Sequence, residues 1–184
     1  PYSFITGSQI QQGIVADYLR LIAERTGLEF QSIPVQSSAR AVEELGNGDL
    51  GVIDILPLSQ EQRDCMEFLR LDLAMDNVIV SREGDLAQSS LTQCAGLRVG
   101  VVGNFGIERT IRNNHPDIEL HTVPNTVTGL KQLLDGRLNA FVTDLASLDY
   151  ARASSQISGI RVSGITPYSV QLYLGVRKDM PVLA

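Results

Sequence analysis

The residues best placed to do chemistry are turn glycines and single carboxylates. Gly103 and Gly106 bracket a turn between the apolar run Leu97–Val102 and a stretch in which Ile107 and Ile111 stand four apart. Glycine enters left-handed backbone geometry cheaply, so this pattern predicts a buried strand, a tight turn and an amphipathic helix. The unpaired N–H groups of such a helix start, at the C-terminal edge of a sheet, take small anionic or polar ligands. Asp144 follows the apolar Leu138–Val142 and is positioned to cap a helix that begins at Leu145. Asp54 stands near the C-terminal end of another apolar run, Leu50–Leu56. There it reads either as a cleft carboxylate or as an edge-strand residue in water.

Several chemistries have no support. His115 and His121 are the only histidines, and neither has a partner at metal-ligand spacing. His115, at a helix end before Pro116, is expected to cap carbonyls. The chain has no H-E-x-x-H, C-x-x-C, G-x-S-x-G or phosphate-loop motif. Gly100-x-x-Gly103-x-x-Gly106 misses the dinucleotide fingerprint, and Glu119 comes too early to be its ribose-binding acid. No cofactor, metal or catalytic residue is therefore expected. Two cysteines, Cys65 and Cys94, are too few for a disulfide scaffold, and two buried thiols are preferred over a bridge. A formal charge of −6 argues against nucleic acid, which needs a basic face. No apolar run approaches the roughly 20 residues that cross a bilayer. The opening Pro1-Tyr2-Ser3-Phe4 lacks a signal peptide's basic and apolar regions, as a mature or excised stretch would.

The elements that must position these residues alternate. Ile10, Ile14, Tyr18 and Ile22 share a helical face that Gly27 ends. Leu28–Ile33 alternates apolar and polar and reads as a strand. Ser37 or Ser38 caps a helix through Leu45, Gly46-Asn47-Gly48 stops it, and Leu50–Leu56 is a strand. Ser59-Gln60-Glu61-Gln62 matches a capping box and opens a short helix to about Met66. Asn77–Ser81 is a strand, and the polar stretch Glu83–Ser90 is a candidate crossing between lobes. Thereafter strands at Leu97–Val102, Ile118–Val123 and Leu138–Val142 alternate with helices, and Gln171–Val176 is the last strand. Such alternation implies an α/β fold with mainly parallel sheets. Leu45-x-x-Gly48-x-Leu50-x-Val52-Ile53 is echoed by Leu133-x-x-Gly136-x-Leu138-x-Ala140-Phe141, a spacing that is also generic to α/β chains.

Tyr2-Ser3-Phe4, Gly13–Leu19 and Ile22–Leu28 resemble the opening of family 3 periplasmic solute-binding proteins. The similarity is greatest to the Venus-flytrap sensor domains of BvgS-like hybrid histidine kinases. Gly48–Ile53, Ser59–Gln62, Leu97–Val102, Gly136–Asp144 and Leu174–Pro181 follow in the family's order. The resemblance covers nearly the whole chain.

It implies a two-lobed binding protein of type II with two hinge-crossing strands, lobe 1 spanning residues 1–78 and 174–184 and lobe 2 spanning 79–173. It also implies a periplasmic location, a small polar or carboxylate-bearing solute, and attachment to a membrane only through parts outside this chain. It leaves room for a homodimer and for a cleft with nothing bound. Amino-acid binders of the family clamp the ligand carboxylate with an Arg at a position occupied here by Gln62. Arg63 substitutes if the helix start is shifted by one. Otherwise Gln62 closes the capping box and Arg63 is solvated. Asp144, at the end of the segment carrying Thr143, matches the family's amine-binding Asp. The turn Asn104-Phe105-Gly106 matches the helix start that grips the carboxylate, here with backbone donors alone. Tyr2 and Phe4 match aromatics that pack on ligand, and Arg82 and Tyr168 flank the hinges. The missing clamp favours a sensor with a drifted cleft over an amino-acid receptor of an ABC importer. Enzymatic relatives, a cyclohexadienyl dehydratase or the binding half of a lytic transglycosylase, are the remaining alternative.

Overall fold

In a computed structural model, residues 2, 4–5, 11–35, 38–55, 66–103 and 106–180 are described. The chain divides into two compact units: Pro1–Asp72 with Leu172–Ala184, and Leu73–Gln171. Among the described residues no helix is long and apolar enough to cross a membrane.

Unit 1 begins with a short antiparallel ladder in which β1 (Phe4–Ile5) pairs with β2 (Gln11–Gln12). Helix α1 (Ile14–Thr26) follows and ends as its sequence predicts, with Gly27 in left-handed geometry donating its N–H to the Ala23 carbonyl. Helix α2 (Ser38–Asn47) buries Ala41 and Leu45 against Ile53 and Met66. Gly48 stops it with φ of 91°. Strand β3 (Val52–Ile55) runs antiparallel to the C-terminal part of β8 (Ile160–Arg177), Val52 opposite Val176 and Ile55 opposite Tyr173. Phe68 meets Tyr173 edge to face at 6.4 Å.

Two expectations change here. Residues 28–33 form no strand, and Ile33 is 51% exposed. Alternation marks a strand only where a neighbour completes the ladder and a core receives the apolar side, and neither is in place among the described residues. Met66, expected to end a helix, instead opens the 17-residue strand β4 (Met66–Arg82). The rest of that expected helix lies outside the described residues.

Unit 2 is a sheet with helices on both faces. Strands β5 (Arg98–Val102), β6 (Glu119–Val123) and β7 (Ala140–Asp144) are mutually parallel, with β5 between the other two. The C-terminal part of β4 pairs antiparallel with β7, Asn77 opposite Asp144 and Val80 opposite Phe141. β8 lies beside β4, and these two strands belong to both units. Glu83–Ser90 lies within unit 2.

The alternating sides of these strands feed two cores. Val78, Val80 and Phe141 pack with Leu130, Leu133, Leu148 and Ala151 of α4 (Thr126–Leu134) and α5 (Leu145–Ser155). Ile79, Val99, Val101, Ala140 and Val142 pack on the opposite face with Ile111 of α3 (Gly106–Asn114) and with Leu91 and Cys94 of a short 3-10 turn. Gly129 of α4 is small because Phe141 lies against it: an added Cβ would come within 2.2 Å of the ring. Cys94 is a free buried thiol, and Cys65 lies outside the described residues.

Candidate functional site

In unit 2 each parallel strand is followed by a helix. β5 ends at Val102 before α3 begins at Gly106, β6 ends at Val123 before α4 begins at Thr126, and β7 ends at Asp144 directly before α5. Because β5, β6 and β7 run the same way, all three helix starts fall at one edge of the sheet. Each helix presents unpaired N–H groups and the positive end of its dipole there. Two of the starts are closed by side chains. Asn125 Oδ1 accepts the Thr128 N–H at 2.9 Å, and Asp144 Oδ1 accepts the Ser147 N–H at 2.8 Å.

Asp144 therefore does what its local sequence predicts, capping α5 through Oδ1 while remaining 9% exposed. Thr143, 5% exposed, precedes it and faces the other side of the sheet, opposite Val78. Gly106 begins α3 and its carbonyl accepts the Thr110 hydroxyl at 2.9 Å. Gly106, Thr143 and Asp144 are thus brought to the same sheet edge of unit 2.

The remaining candidates stand otherwise. In unit 1, Tyr2 is half-buried, and its carbonyl accepts the Val15 N–H at 2.9 Å. Phe4 pairs with Gln12, and Asp54 pairs with Leu174, through their backbones. Gln62, Arg63, Asn104 and Phe105 lie outside the described residues. Arg82 has a structural occupation. It donates to the carbonyls of Leu133, in the last turn of α4, and of Leu138, beyond its end, and pairs with Asp85 at 2.6 Å.

The His115 backbone N–H caps the Ile111 carbonyl at 2.8 Å, but its side chain turns elsewhere. Its Nε2 meets the Tyr168 hydroxyl at 3.1 Å, and Asn114 Nδ2 donates to the same hydroxyl at 3.3 Å. Tyr168 stands edge-on to the imidazole at 6.0 Å, and this ring contact draws the histidine away from the helix end. Sequence reasoning passed over Asn77, which is 2% exposed and lies opposite Asp144. Its signal was present: asparagine is depleted in strands, yet it opens the buried run Asn77-Val78-Ile79-Val80.

No protein-family model matches this chain. Among curated proteins, the virulence sensor protein BvgS of Bordetella bronchiseptica is 24% identical over 150 residues, covering 82% of this chain and 12% of its own length. The chain thus spans about an eighth of that relative. The crystal structure of the Bordetella pertussis BvgS periplasmic VFT2 domain superposes with a TM-score of 0.81 at 20% identity, covering 100% of this chain and 78% of that one. The chain has the Venus-flytrap fold. Holo ArgBP from T. maritima shares the flytrap architecture more distantly, with a TM-score of 0.72 at 21% identity over 100% of this chain and 80% of its own.

Proposed function

We propose that this chain is the periplasmic solute-sensing flytrap of a two-component sensor kinase, anchored to the membrane through parts of the protein outside this stretch. The observation that carries the reading is the superposition on the BvgS periplasmic domain along the whole chain. The sequence-based lobe bounds, 1–78 with 174–184 and 79–173, shift to Pro1–Asp72 with Leu172–Ala184 for lobe 1 and Leu73–Gln171 for lobe 2, and both contribute residues that bind the solute. Gly106, Thr143 and Asp144 supply the lobe 2 side, together with Asn104 and Phe105. Tyr2, Phe4, Asp54, Gln62 and Arg63 supply lobe 1. Backbone N–H groups at the start of α3 take an anionic or polar end of the solute, and Asp144 takes a cationic one.

The domain signals through recognition and performs no turnover. A solute that binds the closed form better than the open form shifts the population between them, by no more than its differential affinity. A second reading, a free receptor for an ABC amino-acid importer, is favoured by the likeness to ArgBP. The lower TM-score and Gln62 at the clamp position weigh against it.

Thermal-shift titration against amino acids, nicotinate-like acids and other carboxylates tests the proposal. A true solute raises the melting temperature in step with RT ln(1 + [L]/Kd). Asp144→Asn and Arg63→Ala are each expected to reduce that rise. Retention of the full shift by both variants would overturn the site, and a shift in neither wild type nor variants with any solute would overturn the sensing role.

A further inference from the structure

Asn77 carries an unmet hydrogen-bonding demand at the carboxyl edge of unit 2. Its Nδ2 donates to the Tyr168 carbonyl at 3.2 Å, and the Thr166 hydroxyl donates to that same carbonyl at 3.1 Å. This contact fixes the amide orientation, because exchanging its N and O would set two acceptor oxygens against each other. The other end, Oδ1, is buried and accepts no hydrogen bond among the described residues. A buried acceptor left unmatched is costly, and most such groups find a partner in protein, water or ligand.

The strand register says on which face of the sheet this side chain lies. Asn77 and Asp144 are directly opposed in the antiparallel pair β4–β7. Opposed residues project from the same face with Cβ atoms about 5 Å apart. On that face Ile79 and Val142 lead into one of the two cores, and Asn77 and Asp144 stand above them at the sheet's edge. Below them the face is hydrocarbon. At the edge it carries two acceptor-bearing side chains, Asn77 2% exposed and Asp144 9% exposed.

We propose that Asn77 is a solute-binding residue whose Oδ1 accepts an N–H donor of the bound molecule beside the Asp144 carboxylate. The two residues divide the work: Asp144 answers positive charge, and Asn77 counts hydrogen-bond donors. The pair selects primary amines, amidines or guanidines over quaternary ammonium groups, which carry the charge and offer no N–H. This inference rests on the solute-binding reading of the same edge.

The test compares γ-aminobutyrate, L-lysine and L-arginine with the N-trimethylated counterpart of the first, by calorimetry on wild type and Asn77→Leu. Leucine keeps the approximate volume and removes the acceptor. Wild type is expected to prefer a primary amine over its trimethylated form. Asn77→Leu is expected to weaken the primary amine about tenfold, the size of one hydrogen bond to a charged group, with less than a twofold change for the trimethylated form. Asn77→Ala removes the acceptor without adding bulk and is expected to show the same selective weakening of the primary amine, which covers the case of a leucine variant that does not fold. Equal weakening of both ligand forms by Asn77→Leu or by Asn77→Ala would overturn the role of Asn77 and leave the sensing function standing. Binding of amine-free carboxylates alone by wild type would overturn it in the same way. If wild type binds no solute of either kind, the sensing function falls with it.

Discussion

Asp144 serves two purposes, and two substitutions separate them. Asp144→Ala removes the oxygen that accepts the Ser147 N–H and is expected to cost about 1 kcal/mol of stability in urea unfolding. Asp144→Asn keeps an acceptor at the cap and removes the charge, so unfolding should change by only a few tenths of a kcal/mol while solute-induced stabilisation falls. The Cys94 thiol is a different kind of residue-scale case. Its Sγ lies 3.6 Å from the Ser90 carbonyl, and burial pushes it up to about 11 from an ordinary 9.0. The folded chain then resists losing this proton where the unfolded chain loses it readily. Its contribution to stability is full below pH 9 and is lost as pH rises toward 11, at no more than about 1.4 kcal/mol per pH unit. Urea midpoints followed from pH 8.5 to 10.5 should fall more steeply for wild type than for Cys94→Ala.

At the scale of elements, Gly129 shows which of two opposed effects wins. In an open helix, Gly129→Ala would gain about 1 kcal/mol. Here the new methyl group would lie 2.2 Å from a fully buried Phe141, so overpacking dominates and a net loss of about 1–3 kcal/mol is expected in chemical denaturation. The same scale explains what the sequence made legible. Helix boundaries at Gly27 and Asp144 were readable because a cap is decided by neighbours a few residues away. Strands β5, β6 and β7 were readable because short apolar runs flanked by turns have few other solutions. Residues 28–33 were misread because a strand needs a partner that periodicity does not supply. The full lengths of β4 and β8 were missed because their polar residues break the apolar pattern. At the candidate site, Asp144 announced itself as a cap. Asn77 became visible only when the strand register set it opposite that carboxylate.

For the whole molecule, stability is unevenly shared. Every residue of β7 is buried, and Val99, Gly100 and Val101 of β5 are enclosed, whereas α1 buries only Val15 and Ala16. Amide hydrogen exchange should therefore be slowest in β5 and β7 and markedly faster in α1. Equal protection in the three would contradict this distribution. The division of the chain also dictates an order of assembly. Leu73–Gln171 is one uninterrupted stretch, so this half has all its parts once residue 171 has been made. The other half is split, and β3 waits more than a hundred residues for its β8 partner at Tyr173–Val176. A chain released at Gln171 should already hold a protease-resistant Leu73–Gln171, while the residues of the split half are still being cut.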